Sequence, residues 1–391
     1  MKGKILVLKG QSRYSVLRDA ADYMSEAFSN LGYEVKSMDL LKDIETAIWE
    51  EILKEYDLIF SFQALLFDIC MPNDTQSVLG YLKKTKVFGQ LMDYPNYHKQ
   101  RLTVVHGSNM YIGCIDKNHV DYIKSFYPYV KNVSYLPHAG CQAKKIVPYQ
   151  ERSIDVYFPC SYTPIEEVEN DIGKLDNVFR EIARVLIDEM LQNPMLTLQD
   201  ALYLYFKRIH FTYTQKEFIE IVQYLLCVDN YIRAYSRDKL CKTLIDNKIN
   251  LTVSGKGWEH FKVNDTRYLH ILEQGGTDFK EVIETMGKSK MVLNNLPTYQ
   301  QGTHERIFSG MMSGAISVTN NFPCIHQEFK DKEDIILYSN DSAQELAESI
   351  KFYLEHATLA EDIANKGKEI ALQLHSWEKN AERVLKAVGL K

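Results

Sequence analysis

Glycine and proline are both scarce in this sequence of 391 residues, which has 19 glycines and 10 prolines. Both residues make up a smaller fraction of the chain than the ~7% of glycine and ~5% of proline that are usual in globular proteins. The sequence is therefore neither collagen-like nor a low-complexity linker. No glycine lies between Gly173 and Gly255, whereas eight glycines crowd into residues 255–314. The crowding predicts loops in this interval where the backbone closely approaches a ligand.

Three further patterns are missing. The seven cysteines include no Cys-x-x-Cys pair, which favours a reducing compartment such as the cytoplasm over a disulfide framework or a zinc site. No apolar run approaches the ~18 residues of a membrane span, and the start of the chain does not resemble a signal peptide. We therefore expect a cytoplasmic protein with no transmembrane segment.

Neither sign of charge dominates, because the sequence has 46 Lys and Arg and 52 Asp and Glu, which gives a net charge of -6. This balance gives no general electrostatic reason to bind nucleic acid or an anionic membrane. The 25% of charged and 45% of hydrophobic residues are typical of a globular chain. Since single cores stop growing near ~250 to 300 residues, we expect two domains.

The first part of the chain alternates strand and helix patterns. An apolar run at 4–8 is followed by helical spacing at 16–31 and by an alternating run at 33–38. Further apolar runs that we interpret as strands are residues 57–62, 86–92, 102–105, 111–115 and 133–136. Such β-α alternation predicts a parallel, doubly wound sheet.

A second sheet is predicted to begin at 154–158 and to be interrupted by a helical insertion at about 164–248. Pro164 fits a helix start, and capping patterns begin at Thr197 and Thr214. Alternation then resumes, with strands at 251–254, 268–272, 291–294, 315–319 and 335–338 and helices at roughly 342–356, 358–374 and 376–388. The predicted fold class is α/β, with two Rossmann-like domains facing across a cleft and an all-helical insertion in the C-terminal half.

The predicted domains are residues 1–150 and 151–391, joined by a linker near 139–152. We expect the last helix, about 376–388, to pack back on the N-terminal domain.

The stretch from Gly302 to Thr319 gives the strongest indication of function. It follows a strand that ends at Asn294 and Asn295, and it reads as loop, capped helix, small-residue turn and strand. With Thr303 as N-cap, the backbone N–H groups that follow would attract a diphosphate, and Arg306 could add a bidentate contact. The alternative is that Thr303 and Glu305 only cap the helix and Arg306 lies in solvent.

A second element is Gly255-Lys256-Gly257, directly after the strand at 251–254. Lysine at the carboxyl end of a strand can neutralise phosphate charge while the glycines permit close backbone approach. Taken alone, the tripeptide is a weak signal and is more typical of an ordinary turn.

Together these elements resemble the nucleotide-sugar-binding domain of GT-B glycosyltransferases, and more closely the bacterial group of CgeB-type, flagellin and cell-surface glycosyltransferases. The resemblance is carried by Gly-Lys-Gly-Trp at 255–258, Gly-x-His-Glu-Arg-x-Phe at 302–308, Gly-Ala-x-x-Val-Thr at 314–319, Asp-x-Pro-x-x-His at 93–98 and Leu-Pro-His at 136–138. It covers most of the chain except about 164–248.

The resemblance implies that the donor diphosphate binds to Gly255, Lys256, Gly257, Thr303, His304 and Arg306. It also implies contacts of the donor ribose or sugar with Asn294, Asn295 and Glu305. Many retaining members carry two glutamates eight positions apart, where this sequence has Gln301 and Ser309. The usual ribose-binding carboxylate is therefore missing, and Glu305 is the nearest substitute.

Candidate acids and bases follow the predicted strands of the first domain: Asp93, His106, Asp116 and His138. This is the edge from which α/β active sites are built, and histidine suits a base at neutral pH. One of the four would be the general base of an inverting transfer, or they would orient substrates in a retaining one. By the resemblance, His98 and His119 would lie on the acceptor side.

The predicted activity is transfer of a hexose from a nucleoside diphosphate sugar to a hydroxyl of a protein, such as flagellin, or of a cell-surface glycan. We expect no metal, because no Asp-x-Asp occurs, and no cofactor beyond the donor substrate. Two alternatives remain: a sugar-nucleotide epimerase of the same fold, and a non-catalytic nucleotide-sugar-binding or scaffold protein. The helical insertion could bind an acceptor, a partner or a second copy of the chain.

Overall fold

The computed structural model describes residues 2–71, 77–104, 107–272, 277–339 and 341–391. The chain divides into two compact units, one formed by Met1–Ala139 with Leu374–Lys391 and the other by Gly140–Gln373. Each unit contains a parallel six-stranded sheet and its own buried core. The predicted α/β class with two Rossmann-like sheets is therefore confirmed. No helix in the described part of the chain is long and apolar enough to cross a bilayer.

The sheet of the first unit has the order β2-β1-β3-β4-β5-β6. Its strands are β1 (Lys4–Lys9), β2 (Glu34–Asp39), β3 (Leu58–Phe62), β4 (Lys86–Leu91), β5 (Met110–Cys114) and β6 (Asn132–Tyr135). Its connecting helices are α1 (Val16–Asn30), α2 (Glu45–Ile52), α3 (Lys99–Leu102) and α4 (Lys117–Phe126). The inner strand β3 is buried along its whole length, as a strand covered on both faces must be.

One predicted strand is wrong. Residues 102–105 are not extended: Leu102 ends the single turn of α3, residues 103 and 104 form a bend, and residue 105 lies outside the described part. The Leu102 side chain is fully buried, so the residue serves the core from a helix. An apolar run this short fits a buried strand and a buried helix equally well.

The sheet of the second unit has the order β12-β11-β10-β7-β8-β9. Its strands are β7 (Ile154–Pro159), β8 (Leu251–Ser254), β9 (Leu269–Ile271), β10 (Ser289–Leu293), β11 (Ile316–Asn320) and β12 (Ile336–Tyr338). All neighbouring strands pair in parallel, so their carboxyl ends share one edge.

Five helices form the insertion between β7 and β8: α5 (Ile165–Gly173), α6 (Asn177–Gln192), α7 (Leu198–Arg208), α8 (Gln215–Tyr224) and α9 (Leu226–Asp246). The predicted caps are present, since Thr197 caps α7 and Thr214 forms a full capping box with Glu217 at α8. Four helices follow the remaining strands of the unit: α10 (Phe279–Met286), α11 (Glu305–Met312), α12 (Ala343–Glu355) and α13 (Ala357–Leu374).

The final helix, α14 (Trp377–Ala387), belongs to the first unit. Its side chains Ala381, Val384 and Leu385 are buried in the core of that unit. The Asn380 amide also donates a 2.7 Å hydrogen bond to the carbonyl of Pro137. The first unit is thus completed by a helix that is distant in sequence.

Candidate functional site

The carboxyl edge of the second sheet brings together the loops that contain the predicted donor site. Strand β7 leads to Cys160, β8 leads to Gly255, and β10 leads to Asn294. Because β7 lies between β8 and β10, these three loops are neighbours at the position where open α/β sheets bind ligands.

The glycines at 255 and 257 are explained by the protein itself. Both have positive φ, 124° and 91°. A Cβ on Gly255 would lie 2.4 Å from the carbonyl oxygen of Cys160, and one on Gly257 would lie 2.0 Å from that of Tyr162. The loop after β8 therefore packs directly on the backbone after β7. The glycines fix this contact, and the prediction that they permit approach to a ligand has no structural support.

The helix α11 is capped by His304, so the prediction of Thr303 as N-cap is wrong. The His304 ring Nδ1 accepts a 3.2 Å hydrogen bond from the backbone N–H of Arg306. The Thr303 hydroxyl is buried and has no hydrogen-bond partner among the described residues. The helix begins one residue later than expected, and an imidazole occupies the position where a donor anion was predicted to bind.

Arg306 is not in solvent, because only 8% of its surface is exposed. Its Nη1 donates a 2.8 Å hydrogen bond to Oδ1 of Asn294, and its Nε has no partner in the described part of the chain. Burial lowers the pKa of Arg306, the neighbouring Cys160 and Glu305 oppose this shift, and the positive charge of Arg237 adds to it. Burying a guanidinium whose only hydrogen bond goes to a neutral amide costs free energy of folding, which is unusual for a group with a purely structural role.

Arg237 on α9 is a site residue that sequence reasoning missed. Its guanidinium carbon lies 5.8 Å from the ring centre of Phe158, and that of Arg306 lies 5.7 Å from the same centre. Its Nη1 donates a 2.6 Å hydrogen bond to the carbonyl of Ser161. No motif marks Arg237, because it lies mid-helix and about 70 positions before Arg306.

Asn294 and Asn295 form a buried polar network behind the arginine. Asn294 Nδ2 donates to Thr319 Oγ1 at 2.8 Å, while Asn295 Nδ2 donates to Ser236 Oγ and Tyr338 Oη at 2.9 and 3.0 Å. Both asparagines are almost fully buried. Their visible role is to hold Arg306 and to connect β10 with its neighbours, and a contact with ribose stays a prediction.

Glu305 and Ser309 form a pair on α11. Ser309 Oγ donates a 3.2 Å hydrogen bond to Glu305 Oε2 and accepts one of 3.0 Å from the backbone N–H of Cys141. Burial raises the pKa of Glu305, opposed by Arg306 and Ser309. Ser309 is fully buried, and its hydrogen bonds connect α11 to the backbone at Cys141.

Lys256 is exposed in the loop after β8, whereas Arg306 is buried and Arg237 is partly buried. Within the described ranges, none of Lys256, Arg237 and Arg306 forms an ion pair with a carboxylate. The same ranges contain no group of three or more His, Cys, Asp or Glu side chains that could hold a metal ion. The edge of the sheet is therefore a cationic site that can bind an anion.

In the first unit, Asp93 and His98 are brought together after β4. His98 Nε2 lies 4.0 Å from Asp93 Oδ2, and the same carboxylate accepts a 2.5 Å hydrogen bond from Gln63 Nε2. Burial lowers the pKa of His98 to about 4, while Asp93 opposes the shift. His98 is consequently neutral at pH 7 and a weak base, while the Asp93 carboxylate beside it is half-exposed and accessible to a substrate hydroxyl.

The other predicted residues of this unit are buried or undescribed. Asp116 is fully buried and caps α4 by accepting a 2.6 Å hydrogen bond from Asn118 N–H. His119 packs edge-on against Tyr94 at 5.3 Å, and His138 is buried after β6. His106 lies outside the described residues. Buried positions explain Asp116 and His119 as parts of the fold, and their catalytic or acceptor roles stay predictions.

One known family model matches the C-terminal part of the chain. Residues 233–386 match the family model described as glycosyl transferase-like. This segment includes Arg237, Lys256 and Arg306. No curated protein matches the chain significantly.

Solved structures with this fold cover nearly the whole chain. Sucrose-phosphate synthase of Thermosynechococcus elongatus is 10% identical, with a TM-score of 0.54 over 98% of this chain and 97% of its own. Anabaena Alr3699/HepE in complex with UDP-glucose is 13% identical, with a TM-score of 0.52 over 99% of both chains. The DNA-modifying β-glucosyltransferase, solved with and without its substrate uridine diphosphoglucose, is 13% identical, with a TM-score of 0.55 over 99% of both. The resemblance to GT-B glycosyltransferases is thereby confirmed, and no comparison supports the narrower CgeB-type group.

Proposed function

We propose that this glycosyltransferase-like protein transfers a sugar from a nucleoside diphosphate sugar, most simply a UDP-sugar, to a hydroxyl acceptor. The observation that carries the proposal is the pair of guanidinium groups, Arg237 and Arg306, that share the ring of Phe158 and form no ion pair with a carboxylate of the described residues. A diphosphate would supply the missing negative charge and accept their free N–H groups. Two structural neighbours whose names mention UDP-glucose support the choice of donor.

Arg152 of the same unit shows what a purely structural buried arginine looks like. Its Nε, Nη1 and Nη2 donate to the carbonyls of Val147, Ser289 and Ser313 at 3.0, 2.7 and 3.1 Å. Arg306 makes one such bond and Arg237 another, so each keeps donors for a ligand. The contrast supports an anion-binding role for the pair.

In the proposed reaction, the bond between the anomeric carbon and the β-phosphate oxygen breaks while the acceptor hydroxyl oxygen bonds to that carbon. The leaving diphosphate gains negative charge, which fixed guanidinium groups stabilise without reorganising. The acceptor hydroxyl loses its proton to a base, for which Asp93 and His98 are our candidates. Independence of a metal, the hexose type of the sugar and a protein or glycan acceptor are parts of this proposal, and both stereochemical outcomes stay open.

Titration calorimetry with UDP and UDP-glucose tests the site. We expect Arg306→Gln and Arg237→Gln each to weaken binding by about 1.5–3 kcal/mol, the value of a charge-assisted hydrogen bond. Arg233→Gln is the matched control, because Arg233 lies one turn earlier on α9 and pairs with Asp229. If neither substitution at 306 or 237 weakened binding, the proposed phosphate site would be wrong.

Release of UDP from UDP-glucose tests the reaction. Slow release by the wild type, accelerated by an acceptor, is expected of a transferase. Interconversion of UDP-sugars without release would identify an epimerase instead. Failure to bind any of a panel of nucleoside diphosphate sugars would exclude both activities.

A further inference from the structure

The tip between α7 and α8 exposes an unusual set of side chains. Four large apolar residues there are each 43–50% exposed: Tyr203, Leu204, Ile209 and Phe211. Residues 201–216 also contain three cations and a histidine but no Asp or Glu, although the whole chain is acidic. This stretch, which we name the α7–α8 tip, combines exposed apolar surface with positive charge.

The helical repeat places these groups side by side. Lys207 and Arg208 follow Tyr203 and Leu204 by three to five positions, and all four side chains are exposed on α7, whereas Phe206 is buried. Arg208 pairs with Glu189, while Lys207 forms no ion pair among the described residues. The exposed face of α7 thus presents two apolar side chains, followed one turn later by two cationic side chains.

The turn after α7 is rigid. His210 adopts a left-handed conformation with φ of 54°, its N–H bonds to Lys207 O at 3.3 Å, and the N–H of Phe211 bonds to Phe206 O at 2.9 Å. This is the Schellman ending of a helix, completed by ring contact between Phe206 and Phe211 at 4.7 Å. The capping box of Thr214 then starts α8. A fixed turn presents Ile209 and Phe211 to a partner at little cost in ordering.

The size of the apolar surface limits the kind of partner. A large aromatic or aliphatic side chain covers on the order of 150–250 Å² when fully buried, so four half-exposed ones offer roughly 400 Å². A standard protein interface takes ~800 Å² per partner. A lipid interface needs no such area, because aromatic and aliphatic side chains insert into the headgroup region while Lys and Arg contact anionic lipids.

We propose that the α7–α8 tip docks this protein on the surface of an anionic lipid bilayer. Leu204, Ile209 and Tyr203 enter the interfacial region, and Lys207 and Lys216 contact lipid phosphates. The net charge of the chain does not oppose this, since the interaction is local and charges beyond ~10 Å are screened. The inference is independent of the proposed transfer reaction.

Flotation of the full-length protein with lipid vesicles tests the proposal. We expect binding to vesicles of phosphatidylcholine with one-third phosphatidylglycerol, weaker binding at high salt, and little binding to phosphatidylcholine alone. Lys207→Gln/Lys216→Gln should weaken binding about 25-fold, or about fivefold for each lysine. Lys83→Gln/Lys84→Gln, which removes two exposed lysines of the first unit, should leave it unchanged.

Leu204→Ser/Ile209→Ser should abolish binding, and Leu359→Ser/Leu372→Ser is its control with matched exposure of 49% and 42%. All these side chains are exposed, so the substitutions should not disturb the core. Thermal unfolding of each variant is the control that checks its folding. The proposal is overturned if the wild type does not bind anionic vesicles, or if the tip variants bind these vesicles as tightly as the wild type does. It is also overturned if light scattering shows that the wild type is a dimer which the Leu204→Ser/Ile209→Ser variant dissociates, because the tip would then be a protein interface.

Discussion

Arg306 donates its hydrogen bond to an uncharged acceptor, the amide oxygen of Asn294, at 2.8 Å. The asparagine positions the guanidinium without neutralising its positive charge, and the Glu305 carboxylate acts on that charge only as a neighbour that raises the pKa of Arg306. If a diphosphate binds here as proposed, a neutral acceptor would keep the arginine ordered and also available to the ligand.

Asn294→Asp tests this relationship with almost no change of shape. The new carboxylate would pair with Arg306 and compete with a bound anion, so we expect UDP affinity to fall at least tenfold. Thr319 can donate its hydroxyl proton to the carboxylate in place of the lost amide donor. Calorimetry with UDP and a thermal unfolding curve measure both effects. Unchanged affinity would contradict the view that Arg306 acts through its free charge.

Lys256→Ala should weaken UDP binding by about 1.5–3 kcal/mol without changing stability, because Lys256 is exposed and forms no ion pair within the described ranges. Lys256→Arg should retain most of the affinity. A salt titration of UDP binding is the informative measurement, since the salt dependence should be smaller in Lys256→Ala than in the wild type. Equal salt dependence of UDP binding in both proteins would show that Lys256 does not interact with the bound anion.

Gly257→Ala should destabilise the protein by about 2–4 kcal/mol, since the new Cβ would overlap the Tyr162 carbonyl at a positive φ. Gly173→Ala is the matched control. Gly173 ends α5 with no atom within 4 Å of its would-be Cβ, so alanine there should be neutral or stabilise by up to ~1 kcal/mol. Urea midpoints compare the two, and a mild effect at position 257 would show that the loop contact is not required.

Stability should depend on pH through His98. Its folded pKa of about 4 lies below the ordinary ~6.5, so between these values the unfolded chain binds a proton that the folded chain does not. The stability present above pH 6.5 should therefore fall as the pH is lowered through this window, by on the order of 2 to 3 kcal/mol. His98→Gln should lack this part of the loss. Identical urea midpoints against pH in both proteins would argue against a neutral buried His98.

The inner strands could be predicted where they are apolar on both faces, as β3 is, and helix starts could be predicted where a capping pattern precedes them. Thr214 and Glu217, for example, form the capping box that their spacing indicates. The prediction of a strand at residues 102–105 is wrong because a short apolar run does not distinguish a strand from a buried turn of helix.

The site was harder to predict, since its chemistry depends on contacts between distant residues. Thr303 has the better intrinsic preference for an N-cap, yet His304 occupies that place through its ring nitrogen. The glycines at 255 and 257 were assigned to a ligand, but the backbone after β7 explains them. Arg237 could not be selected from many helical arginines until α9 was seen to place it beside Phe158.

The helix α14 has a consequence for how the chain folds during synthesis. Residues 1–139 emerge first, but their core lacks Val384 and Leu385 until about 245 further residues have been made. At 5–20 residues per second this delay lasts on the order of 10 to 50 s. Throughout that time the nascent first unit exposes the apolar surface that α14 later covers, so Gly140–Gln373 can complete its core before the unit that precedes it on the ribosome.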